Sequence, residues 1–302
     1  MEKAILKTLN YYDIFNFPLK AWEIHKWLIG REASLKQIEK TLKSLVKKGQ
    51  ILQPFTKGKN KDGYFCLVGR TNLVKERIQK EQVSQKHFTT AKYISKLFKI
   101  IPWIKLVGIS GSLSMMGSSK TDDIDLFIIT SGRRIWVTRL FLIFLTTLTG
   151  LRRKRHEKLL SANGKLCINL ILEESNLAQK KKNIYVAHEV LQMRLLWQRS
   201  EIYSEFLYAN DWAFKHLPNW KSSTIEHRKL KTKGSKETFS IGLIDWLEKI
   251  SKELQLKIMG SPDKSERIES GALYFHPEDK GVKILAEYKK RLNQLNAPDH
   301  SR

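Results

Sequence analysis

Apolar positions recur every three to four residues over most of the chain, and crowd into short continuous runs near residues 51, 65, 105, 125 and 168. Helices framing a few short strands are therefore expected. In "EKAILKTLNYY", Ile5, Leu6, Leu9 and Tyr12 share one helical face, and "PLKAWEIHKWLI" opens a second helix just after Phe17, with Pro18 near its start. A third, "SLKQIEKTLKSLVKKG", has Ser34 as N-cap, Leu35, Ile38, Leu42, Leu45 and Val46 on one face, and Gly49 as its stop. Ile51-Leu52 and "YFCLVG" flank "TKGKNKDG", whose Asp-Gly is a hairpin signal. Residues 71–100 read as a charged helical connector leading to Pro102. "WIKLVGIS" predicts a buried strand, "SLSMMGSSK" a short helix from Ser112, and "IDLFIIT" a second strand whose period of two puts Asp123 and Asp125 on one face. "KLCINLIL" predicts another strand, and residues 179–302 read as helical. The partition is 1–70, 71–100, 101–178 and 179–302.

Composition narrows the class. With 302 residues, 41% of them hydrophobic, the chain can bury a sizeable core. Cys66 and Cys167 each lie inside an apolar run, so both read as core, without a disulfide or a cysteine-based metal site. The amino terminus lacks a secretory pattern, so a cytoplasmic location is expected. Between them, "IWVTRLFLIFLTTLTGLRRKRHEK" is apolar only from Leu140 to Leu151, short of the roughly twenty residues a spanning helix needs. A helix packed on the sheet is expected there, and no stable membrane insertion. The basic cluster after it, Arg152 to Arg155, can hold phosphates or simply end the helix.

The formal net charge of +25 is uneven, with +13 over residues 1–100, +9 over 101–200 and +3 beyond. Such a field attracts nucleic acid, nucleotides or anionic lipid. The three amino-terminal helices and basic hairpin resemble a winged helix-turn-helix, a family in which the third helix enters the major groove and the wing touches the backbone. That resemblance implies duplex DNA as a partner of residues 1–70, through Lys36, Lys40, Lys43 and Lys47 on the third helix and Lys57, Lys59 and Lys61 in the wing. On the residues alone, a solvated face or a docking face remains the alternative.

The chemistry is concentrated in "LVGISGSLSMMGSSKTDDIDLFIIT", residues 106–130. Gly111 lets the backbone approach a ligand, the amides at the following helix start suit phosphate oxygens, and Ser112 adds a hydroxyl donor. Asp123 and Asp125, about 6–7 Å apart along a strand, can share Mg²⁺ and so clamp an in-line phosphoryl displacement. "GS", ten residues, then "DID" resembles the signature of the DNA polymerase β-like nucleotidyltransferase superfamily.

That resemblance implies an α+β fold: a short mixed sheet with helices, preceded here by a winged helix and followed by a helical extension. It further implies Mg²⁺- or Mn²⁺-dependent transfer of a nucleoside monophosphate from a nucleoside triphosphate to a hydroxyl acceptor. Asp123 and Asp125 are then catalytic metal ligands, and Gly111 and Ser112 hold the nucleotide. The superfamily also places a third carboxylate on a later strand, where this chain has Asn169, a weak uncharged ligand that cannot accept a proton. Glu173 falls on the same expected strand face, about 13 Å further along, and Glu174 points the other way. The alternative is a winged-helix DNA-binding regulator or interaction protein with a catalytically weak nucleotide-binding domain.

Overall fold

Ser34 accepts a hydrogen bond from the Gln37 amide while the Gln37 side chain accepts one from Ser34, a reciprocal cap that starts helix α3, Leu35–Lys47. Gly49, at φ +69°, follows its end. In the computed structural model, which describes residues 1–54, 63–153, 163–222, 241–259, 266–275 and 280–297, α1 spans Glu2–Asp13 as the spacing predicts. The second helix starts later than expected. Leu19–Lys20 form strand β1, and α2 is only Ala21–Lys26, because Leu19 and Lys20 pair with Phe65 and Tyr64. Strands β2, Ile51–Leu52, and β3, Tyr64–Leu67, complete a three-stranded antiparallel sheet in the order β1-β3-β2. Lys57, Lys59 and Lys61 lie outside the described residues.

Helix α4, Asn72–Ser95, leads through a short 3₁₀ turn to the central sheet. In chain order follow β4 (Ile104–Ile109), α5 (Gly111–Ser114), β5 (Ile124–Thr130), α6 (Ile135–Leu148), β6 (Leu166–Glu173), α7 (Ile184–Gln192) and β7 (Arg194–Gln198). Then come α8 (Ile202–Ala209), α9 (Ala213–His216), α10 (Pro218–Ser222), α11 (Ile241–Met259), β8 (Arg267–Glu269), β9 (Ala272–Tyr274) and α12 (Lys280–Asn296). The sheet runs β7-β4-β5-β6-β9-β8, with β5 and β6 parallel and every other neighbouring pair antiparallel. The fold is therefore α+β with a mixed sheet.

The expectation that residues 179–302 are helical is corrected here, since they supply three of the six strands. "RLLWQ" is a short, half-buried apolar run that periodicity alone does not separate from helix. "RIESGALY" carries a hairpin signal in Ser270-Gly271, with Gly271 at φ +73°.

Alternation along β5 sorts the core into two faces. Ile124, Leu126 and Ile128 pack in one cluster with Val107, Ile109 and Leu142, while Phe127 and Ile129 pack in the other with Leu106 and Val190. This second cluster continues without a break through α7–α10 into α1–α3, so residues 1–70 share their core with the rest of the chain. Helix α12 closes back on α1, with Arg291 paired to Asp13 at 2.6 Å. Among the described residues no helix is long and apolar enough to cross a membrane. Helix α6 instead packs on α11, whose Glu248 accepts the amides of Trp136 and Val137 at 2.9 and 2.8 Å.

His188 sits at the centre of the shared core, stacked 4.2 Å from Tyr11, with Nδ1 donating to the Ile184 carbonyl at 2.8 Å. Burial presses its pKa from 6.5 down to about 3. The native imidazole then gains its proton far below the unfolded one, so stability is full above pH 6.5 and is lost as pH falls towards 3. Between pH 7 and 5 this group alone should remove about 2 kcal/mol. Urea unfolding at both pH values should show that loss in the parent and its disappearance in His188→Gln, itself less stable at pH 7.

Candidate cation site at the Gly-Ser turn

Strand β4 ends where the Ser110 amide donates to the Asp125 carbonyl at 2.9 Å, and the chain then turns at Gly111 with φ +63°. A Cβ at residue 111 would overlap Asp125 Oδ2. Glycine is thus required twice, for the left-handed backbone and for the approach of the carboxylate. Gly111→Ala should cost about 1–2 kcal/mol from the backbone alone, and more from displacing Asp125. Melting should show this loss against a nearly silent Gly132→Ala, whose Cβ would meet nothing within 4 Å.

Asp122 organises the turn. Its carboxylate accepts from Ser112 Oγ at 3.0 Å, from the Ser119 amide at 3.0 Å and from Ser119 Oγ at 2.6 Å. The Ser112 hydroxyl, expected to meet phosphate, is in this arrangement given to Asp122.

Period-two alternation brings Asp123 and Asp125 to one face as expected, and Cys167 joins them: ligand atoms of all three lie within 4.8 Å of one another. Cys167 is the register partner of Asp125 on β6. It is half-buried rather than a core residue. Burial, then the charges of Asp125 and Asp123, push its thiol well up, so it stays protonated. Burial and the neighbouring Asp125 also raise the Asp123 carboxyl, opposed by Arg153, whose guanidinium pairs directly with Asp123. A bridge between Arg152 and Leu166, and the Arg153 amide donating to the Leu166 carbonyl at 3.1 Å, hold that arginine beside the strand.

Asn169 is 9% exposed and donates through Nδ2 to Ser110 Oγ at 3.1 Å. It thereby braces the residue before Gly111 and lines a cavity of roughly 530 Å³ with Ser110, Gln179, Lys180 and Tyr185. The pairing of β5 with β6 shifts by one residue between Leu126–Ile168 and Phe127–Leu170. Such a bulge moves everything beyond it to the other face. Ile171 accordingly packs with Leu126 and Ile128, Leu172 with Phe127, and Glu173 follows Ile171 away from the aspartates. Glu173 pairs in register with Thr130, five residues beyond Asp125, so its expected place on the same face is corrected. Glu174 accepts from the Gly132 amide at 3.3 Å, also outside the site.

No family model, curated protein or solved structure matches this chain. The site's own chemistry is therefore the guide. Two converging carboxylates fit a hard divalent cation; the Cys167 sulfur is a softer ligand, and Arg153 is a cation already placed on one of the acids. Sequence reasoning missed Cys167 and the specific role of Arg153. Aligning "IDLF" on "LCIN" from their first residues sets Cys167 opposite Asp125, whereas nothing local announces Arg153.

Proposed function

We propose that this protein is a nucleotidyltransferase-type enzyme that binds a nucleoside triphosphate with Mg²⁺ or Mn²⁺ and transfers the nucleoside monophosphate to a hydroxyl acceptor. The observation that carries this reading is the convergence of Asp123, just ahead of β5, and Asp125 on it, with Gly111 fitted against Asp125. The acceptor hydroxyl would give its proton to solvent and its oxygen would bond to the α-phosphorus as the bond to the bridging oxygen breaks and pyrophosphate leaves. A bound divalent cation would neutralise the phosphates during that displacement. Asp123 and Asp125 would hold it, with Arg153 swinging from Asp123 towards the phosphates, and Gly111 giving the ligand close access to the backbone. Ser112 would contact phosphate once its hydroxyl leaves Asp122. Lys36, Lys40, Lys43 and Lys47, all exposed along α3, support duplex DNA as a partner of the winged-helix-like residues 1–70.

Cys167 and Arg153 favour a second reading, binding without turnover: the position opposite Asp125 holds a neutral thiol, leaving two charged ligands and no third carboxylate to take the acceptor's proton. The test is thermal melting with each nucleoside triphosphate and Mg²⁺, followed by pyrophosphate release. At a hundredfold excess over Kd a ligand of the native state adds about 2.7 kcal/mol. A shift in the parent that is absent from Asp123→Asn/Asp125→Asn supports the site. Pyrophosphate release selects the enzyme, and its absence alongside the shift selects the binding protein. An equal shift in the double variant refutes both.

A further inference from the structure

A second cavity, roughly 550 Å³, opens between α2, α4, the segment Ser114–Met116 and the turn from α7 into β7. Its volume suits a small ligand. Four cations and two carboxylates line it: Lys20, Lys26, Arg77 and Arg194 against Glu23 and Glu81. Both carboxylates are engaged, Glu23 by Arg77 at 2.9 Å, and Glu81 by Arg77 at 2.9 Å and Lys20 at 3.3 Å. Lys26 and Arg194 form no ion pair among the described residues. Lys26 Nζ lies 4.9 Å from the Trp27 ring centre and 6.0 Å from that of Trp220, and the Arg194 guanidinium lies 5.8 Å from that of Phe88. Aromatic faces attract cations but carry no counter-charge.

Burial lowers the pKa of both groups, Lys26 further through Arg194 and Arg194 further through Arg77, with the Glu23 carboxylate only partly opposing this at Arg194. Two half-buried cations that repel each other cost stability unless an anion meets them. At the cavity's edge Trp22 leaves 46% of its surface exposed, a flat apolar face beside the charges.

We propose that this cavity binds a small phosphomonoester bearing a flat ring, of the class of a nucleoside monophosphate, with the phosphate between Lys26 and Arg194 and the ring against Trp22. The charge of a phosphomonoester at pH 7, about −1.5 to −2, matches the surplus of two cations. The site is separate from the aspartates, which do not line the cavity, so it stands whether or not the cation site turns over.

The test uses the full chain in chelator, to silence the cation site, with adenosine 5′-monophosphate, ribose 5-phosphate and adenosine as probes, read by melting temperature and tryptophan fluorescence. The nucleotide should stabilise the parent and perturb its fluorescence, ribose 5-phosphate should act more weakly, and adenosine should do nothing. Lys26→Met and Arg194→Met should each weaken nucleotide binding about tenfold or more, since each loses a charge-assisted contact. Without ligand they should melt no lower than the parent, which separates lost binding from lost folding. Asp123→Asn/Asp125→Asn should respond like the parent. The proposal is overturned if the parent ignores the nucleotide, if adenosine or ribose 5-phosphate binds equally well, if either cation variant binds like the parent, or if the aspartate variant loses the response.

Discussion

Arg77→Met is expected to remove about 3–5 kcal/mol of stability, the scale on which breaking one side of a buried ion pair is felt. Arg77 is 2% exposed and its guanidinium is shared four ways: Glu23, itself 3% exposed, Glu81, and the carbonyls of Met115 at 3.1 Å and Met116 at 2.7 Å. It also lies 3.8 Å over the Phe17 ring. The variant leaves a buried carboxylate without its cation, and leaves Met116, at φ +59°, without the donor on its carbonyl. Ser84 and His87, on the same helix α4, bond Ser118 at 2.9 and 3.0 Å, so the segment after Gly111 hangs on α4. Urea unfolding of Arg77→Met and of Arg77→Met/Glu23→Gln gives the check: the second should recover much of the loss, because no buried charge remains to be paired. A loss below about 1 kcal/mol would show that the pair is not the joint between α2, α4 and the Gly-Ser turn.

Much of this arrangement was legible because it depends on local rules. The Ser34 cap, the stop at Gly49 and the shared face of Asp123 and Asp125 follow from neighbours a few residues apart. What was not legible depends on pairing at a distance. The bulge that turns Glu173 away from Asp125 and lets Asn169 reach Ser110 is a property of two strands together. Strand β7 belongs to the sheet because β4 has a free edge for it, which "RLLWQ" does not announce. Arg153 is held on Asp123 by its amide's hydrogen bond to Leu166, thirteen positions further along the chain.

Cys167→Asp should have the second large effect, with opposite signs in two conditions. The new carboxylate would stand opposite Asp125 in register and beside Asp123, which is paired with Arg153, so three acids would crowd one site. Without a divalent cation, a third negative charge there should lower stability by about 1–3 kcal/mol. With Mn²⁺ the added charged ligand should more than offset that loss, and Mn²⁺ affinity should rise by about tenfold or more. Cys167→Ser, similar in size and uncharged, should change neither quantity much. Asn169→Asp makes the informative contrast, because its charge would fall against Ser110 rather than opposite Asp125, and its gain in Mn²⁺ affinity should be smaller.

The central claim is that Asp123 and Asp125 together hold a divalent cation that a nucleoside triphosphate then joins. Its most direct measurement is a Mn²⁺ titration followed by electron paramagnetic resonance, with and without nucleoside triphosphate, on the parent and on Asp123→Asn/Asp125→Asn. The parent should bind Mn²⁺ and do so more tightly with nucleotide present, while the variant shows only the Mn²⁺ that free nucleotide itself takes up. A parent that binds no Mn²⁺ in either condition, or a variant that binds as the parent does, would contradict the assignment.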